Sequence, residues 1–126
     1  MIYTTYFAKL KTLPDGVIPI AICAKVPAGY RGASYRNLAP KYDFYSKWKI
    51  DHDNDCFTKC YYDQVLQQLN PTRVVADLYY QAGKASCSGD IALVCYEKSG
   101  DFCHRHLVSE WLRSNGYDSI EFKGDK

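Results

Sequence analysis

The sequence predicts an α/β domain, a compact sandwich with a small, mainly parallel sheet flanked by helices. Three observations carry that prediction. "IALVCYE" from Ile91 is an apolar strand without polar alternation, as expected where both faces are covered. Strand-like and helix-like segments follow one another along the chain, and 126 residues with 47% hydrophobic and 24% charged composition suit a single domain, 1–126, with one core.

Each element has a local reason. "MIYTTYF" alternates and reads as a first strand closed by the Pro-Asp-Gly turn of "TLPDG". Val17 to Cys23 reads as a second strand, although Pro19 argues against a hydrogen-bonded central position. The segment "AKVPAGYRGASYRNLAP" is too long for a simple connector and carries Lys25, Arg31 and Arg36. From Lys41 to about Leu69 the period turns helical, with Tyr42, Tyr45 and Trp48 on one face and a break at Asp51 to Asp55. Asn70-Pro71 caps a helix that stops near Gly83. After "IALVCYE", Asp101 is a candidate cap for a helix burying Leu107, Val108, Trp111 and Leu112, which Asn115-Gly116 ends. "YDSIEF" is a closing strand, and the last strand, helix and strand are expected to form a crossover.

Composition excludes several classes. A net charge of +2 demands no nucleic-acid partner. No apolar run approaches a membrane span, so a cytoplasmic protein without a membrane partner is expected, its six cysteines reduced. Nucleic acid is disfavoured as a partner because Asp43, Asp51, Asp53 and Asp55 interrupt the basic and aromatic stretch between Tyr30 and Lys49. His52, Cys56 and Cys60 share a helical spacing, but without a Cys-x-x-Cys turn they read as two packing thiols and an exposed histidine. No metal is therefore assigned. There is no Walker loop, Gly-x-Gly-x-x-Gly or His-Glu-x-x-His either, so no cofactor is assigned.

Candidate chemistry gathers at one loop. In open α/β sheets ligands bind beyond the carboxyl ends of strands, which places Cys23, Lys25, Cys95 and Glu97 on one rim. Cys103, His104 and Arg105 open the following helix, where free N–H groups and the dipole favour an anion and a thiolate. Arg105 is a candidate anion clamp. Cysteine-phosphatase spacing is absent, since the sixth residue after Cys103 is Ser109 and after Cys95 is Asp101.

The run "ALVCYEKSGDFCHRHLVSEWL" resembles the hallmark of the bacterial and phage family called domain of unknown function 488, an apolar strand ending Cys-x-Glu and then Cys-His-Arg opening a helix. The resemblance continues loosely through "IPIAICAKVP" and the terminal helix and strand. Where many members end the earlier strand with Asp-x-Arg, this chain has Cys23-Ala24-Lys25, keeping the positive charge and losing the acid. The resemblance implies a compact α/β fold and no settled activity.

The leading expectation is a pocket for an anionic, nucleotide-like small molecule. It would be bound by Lys25, Tyr30, Arg31, Arg36, Cys95, Glu97, Cys103, His104 and Arg105, with Tyr35 or Tyr42 as further stacking surfaces. Sequestering a nucleotide immune signal, as a phage counter-defence protein would, is its concrete form. A cysteine-dependent enzyme is the alternative, with Cys103 as nucleophile, Glu97 or His104 carrying protons and Arg105 on the anion. A nucleic-acid-binding module is a further alternative.

Overall fold

The computed structural model describes residues 1–84, 86, 88–97 and 101–123. Cys87 and the middle of the loop before the last helix lie outside them. The strands are β1 (Ile2–Tyr6), β2 (Ile18–Ala21), β3 (Ala33–Ser34), β4 (Ile91–Cys95) and β5 (Ser119–Glu121). They form one sheet in the order β3-β2-β4-β1-β5, every neighbouring pair parallel. The helices are α1 (Tyr42–Asp51), α2 (Asn54–Gln64), α3 (Pro71–Gln81) and α4 (His104–Ser114), and short 3-10 turns cover Phe7–Thr12, Arg36–Leu38 and Leu66–Gln68.

The expected α/β architecture with a small parallel sheet is therefore present. β4 is its centre, and all five of its residues are buried. That explains why "IALVC" carries no polar alternation. Ile91 and Leu93 pack with Ile20 and Ile22 against Phe57 and Tyr61 of α2, Val74 and Leu78 of α3, and Val108 and Leu112 of α4 in one core. The Asn70 side chain accepts from the Arg73 N–H and Pro71 takes the first turn of α3, as the sequence predicts.

Pro19 turns out to be compatible with an interior strand. The N–H groups of Ile18 and Ile22 donate toward β4, to Asp90 and Val94, so by alternation the missing donor of Pro19 faces the β3 side. There β3 pairs only from Ile20 onward. The expected β4-α4-β5 crossover is present and passes over β1, which lies between the two strands. Two further features differ from expectation. The long basic segment contains β3 and a 3-10 turn, which its Gly, Ser and Pro content hid. Asp101 does not cap α4: Cys103, in extended conformation, is the N-cap, and its side chain makes no capping hydrogen bond.

Candidate functional site

A cavity of about 410 Å³ opens at the carboxyl ends of β2 and β4. β2 leads into Cys23, Ala24 and Lys25, β4 ends in Cys95, Tyr96 and Glu97, and His104 of α4 also lines the cavity. Pro40, Tyr42 and Tyr45 complete it from the start of α1. The strand-end rim expected from the sequence is thus one continuous wall.

Its base is rich in sulfur. Cys23, Cys95 and Cys103 cluster with Ala21, and Phe7 and Tyr30 pack against them. A disulfide joins Cys95 to Cys103, which corrects the expectation that all six cysteines are reduced. The cause is topological, since the end of β4 and the N-cap of α4 face each other across the short loop between them. Cys23 is unpaired; its Sγ donates to the Lys25 carbonyl at 3.0 Å, and burial pushes its thiol up to about 11.

His104 is buried with Nε2 2.7 Å from the Ile22 carbonyl. A carbonyl only accepts, so Nε2 carries the proton and Nδ1 keeps its lone pair. Nδ1 lies 3.8 Å from the Cys103 Sγ. Burial, with the neighbouring Arg105 charge, brings the imidazole pKa down to about 4, so the ring is neutral near pH 7.

Arg105 has a different place from the one expected. It is fully buried, with Nε 3.0 Å and Nη2 2.8 Å from the two carboxylate oxygens of Glu121, a bidentate pair. Nη1 donates to the Glu97 carbonyl and to the Cys95 Sγ, the latter at 3.4 Å. The guanidinium also lies over the Tyr6 ring. It braces the pocket from beneath and is no open clamp for an anion. A buried charge requires such a partner.

The structure thus brings Lys25, Cys95, Glu97 and His104 together at the cavity and sets Cys103 and Arg105 behind them. Tyr30 supports the wall: its ring packs against Phe7 and its hydroxyl donates to the Ala33 carbonyl at 2.6 Å. Burial raises that phenol to about 12. Arg31 is exposed and lines no described cavity, while Arg36 lines a separate one of about 240 Å³. The basic loop therefore contributes one cation, Lys25. Tyr35 is committed elsewhere, donating to Asp77 at 2.8 Å.

Tyr45, Tyr96 and Glu121 are additions. Tyr45 was detectable through its three-residue spacing from Tyr42. Tyr96 is 46% exposed, and its hydroxyl donates to the Lys25 carbonyl at 2.9 Å, tying the two strand-end segments together. Glu121 lies too far along the chain for any motif to link it to Arg105. The group of ligating atoms within 4.8 Å of one another, among the described residues, is Cys95, Cys103 and His104. His52, Cys56 and Cys60 do not form such a group. Among the described residues no helix is long and apolar enough to cross a membrane.

Residues 3–116 match a family model described as the active DUF488-N3 subclade. No curated protein and no solved structure matches the chain.

Proposed function

The chain belongs to the domain of unknown function 488 family, and from that premise we propose that its strand-end cavity binds a nucleotide-like small molecule in the cytoplasm. One observation carries the reading: Tyr42, Tyr45 and Tyr96 wall the cavity of about 410 Å³ together with the cation Lys25. Aromatic faces stack on a planar base without demanding its sequence, and an exposed ammonium suits a phosphate or carboxylate. The volume falls in the ordinary range for small-molecule pockets. Sequestration of a nucleotide signal, of the phage counter-defence type, is the concrete form of this function.

Calorimetry and thermal shift against nucleosides, mononucleotides, cyclic mononucleotides and dinucleotides test it. At least one nucleotide should raise the melting temperature. Tyr42 is 81% exposed, so Tyr42→Ala leaves the fold intact and should weaken binding by about 1–3 kcal/mol. Lys25→Ala should weaken phosphorylated ligands more than the nucleoside. The absence of both binding heat and stabilisation across the whole panel would refute the reading.

A cysteine-dependent reaction on the same ligand class is the second reading, favoured by the sulfur and imidazole at the cavity wall. In this reading the nucleophile is Cys95 and not Cys103, because Cys95 lines the cavity and receives a hydrogen bond from Arg105 that favours a thiolate once the pair is reduced. Glu97 supplies a carboxylate on the same wall. Product formed by reduced protein and abolished in Cys95→Ser selects the enzyme; recovery of unchanged ligand selects binding alone.

A further inference from the structure

We infer that the reduced pair Cys95 and Cys103, with Nδ1 of His104, forms a site for a zinc-class divalent ion whose fourth position faces the cavity. This goes beyond the ligand reading and needs no nucleotide.

Three observations converge. The ligating atoms of these residues lie within 4.8 Å of one another, and all three residues are buried. A tetrahedral zinc with bonds of about 2.3 Å to sulfur and 2.0–2.1 Å to nitrogen separates S from N by about 3.6 Å. Here Nδ1 stands 3.8 Å from the Cys103 Sγ.

The imidazole is also oriented as a ligand. Metal-bound histidines commonly donate their other N–H to a carbonyl, which selects the tautomer and aims the lone pair. The 2.7 Å contact from Nε2 to Ile22 does this and leaves Nδ1 facing the sulfurs.

The backbone spacing agrees. The Cα atoms of Cys95 and Cys103 are 7.6 Å apart, beyond the span of about 4.4–6.8 Å usual for disulfides. Two sulfurs on one tetrahedral ion sit about 3.8 Å apart, which supplies the added reach. Arg105 Nη1, 3.4 Å from the Cys95 Sγ, offsets part of the thiolate charge. Cys23 is committed to the Lys25 carbonyl, so the fourth position falls to water or a cavity ligand. Cys95 and His104 both line that cavity.

Loading requires reduction of the disulfide. A thiol or phosphine reductant supplies two electrons, two protons from solvent complete the thiols, and the ion then displaces both protons as it binds. Disulfide and metal site are therefore mutually exclusive states of the same pair.

The test uses the full chain, reduced by a phosphine under anaerobic conditions, and titrates Co²⁺ followed by Zn²⁺ without nucleotide. Thiolate-to-cobalt charge transfer and tetrahedral d–d bands should saturate at one equivalent and bleach when zinc is added. Cys95→Ser, which removes a ligand outright, should weaken binding by more than the roughly 10–100-fold typical of losing an outer-shell partner. The double variant Cys56→Ser/Cys60→Ser should titrate as wild type, and oxidised protein should bind only after reduction. Absence of these bands in reduced wild type would overturn the site without any variant, and so would their survival in folded Cys95→Ser or their loss in the double variant. Because no nucleotide is present, failure here leaves the ligand-binding reading standing, and failure of the nucleotide panel leaves this one standing.

Discussion

The rim where β4 meets α4 and the outer layer of α1, α2 and α3 use the same residue types to opposite ends. Both hold cysteines, histidine and ion pairs. At the rim, Arg105 has no exposure and grips Glu121 with two hydrogen bonds. In the outer layer, Lys47–Asp51, Lys59–Asp63 and Arg73–Asp77 are exposed pairs one helical turn apart. Cys95, Cys103 and His104 converge, whereas Cys56 and Cys60 lie along one helix and His52 ends another, edge-on to Trp48. Periodicity along one helix puts residues on a common face; a strand end and the start of the helix that follows it aim them at a common point.

The largest effect expected to break this contrast is at Arg105. Arg105→Ala removes the bidentate partner of the mostly buried Glu121 carboxylate, so chemical denaturation should register a loss of about 3–5 kcal/mol. Arg73→Ala should stay within the ~0–1 kcal/mol of exposed pairs. Equal losses would show that burial does not distinguish the regions.

Second in size is reduction of the Cys95–Cys103 disulfide in metal-free buffer. Chain-entropy reasoning for a sequence separation of 8 gives about 2.5 kcal/mol of stability, to be read as a lowered denaturation midpoint. Added zinc should restore part of it, and Cys56→Ser/Cys60→Ser should be nearly neutral.

Asp53→Ala probes the outer layer on its own terms. The Asp53 carboxylate accepts from the Cys56 N–H as the cap of α2, so its removal should cost about 1 kcal/mol in thermal unfolding. The cavity should be unaffected, with ligand or cobalt titrations unchanged.

The smallest expected effect is pH-dependent. The hydrogen bond from Tyr35, then that from Arg73, holds Asp77 below the ordinary carboxylate range. A depressed folded pKa means that the contribution is complete above the ordinary carboxylate pKa and fades as pH falls through the folded value. Asp77→Asn should therefore flatten the acid limb of the stability curve slightly, leaving stability above pH ~6 little changed by titration.

The contrast also marks what the sequence made legible. β4 was readable because full burial removes alternation, and α3 because Asn70 and Pro71 act locally. The rim was readable for the same reason: Cys95 ends an apolar run, and His104 follows at a helix start. What escaped depends on long-range pairing. Insertion of β1 between β4 and β5 leaves no trace in either strand. β3, Ala33–Ser34, is too short for a periodic signal. The burial of Arg105 depends on Glu121, and Arg31 and Arg36 follow the chain outward from a loop whose composition suggested a shared purpose.

An all-parallel sheet has implications for how the chain is made. None of its strand pairs can close as a hairpin, so every pairing waits for an intervening segment to be synthesised and folded. His104 is tied to Ile22 across 82 residues, and Arg105 leaves the ribosome before its counter-ion in β5. A nascent chain halted before Glu121 carries an uncompensated guanidinium where the finished protein has a buried pair. Docking of β5 is therefore the step that pairs this charge.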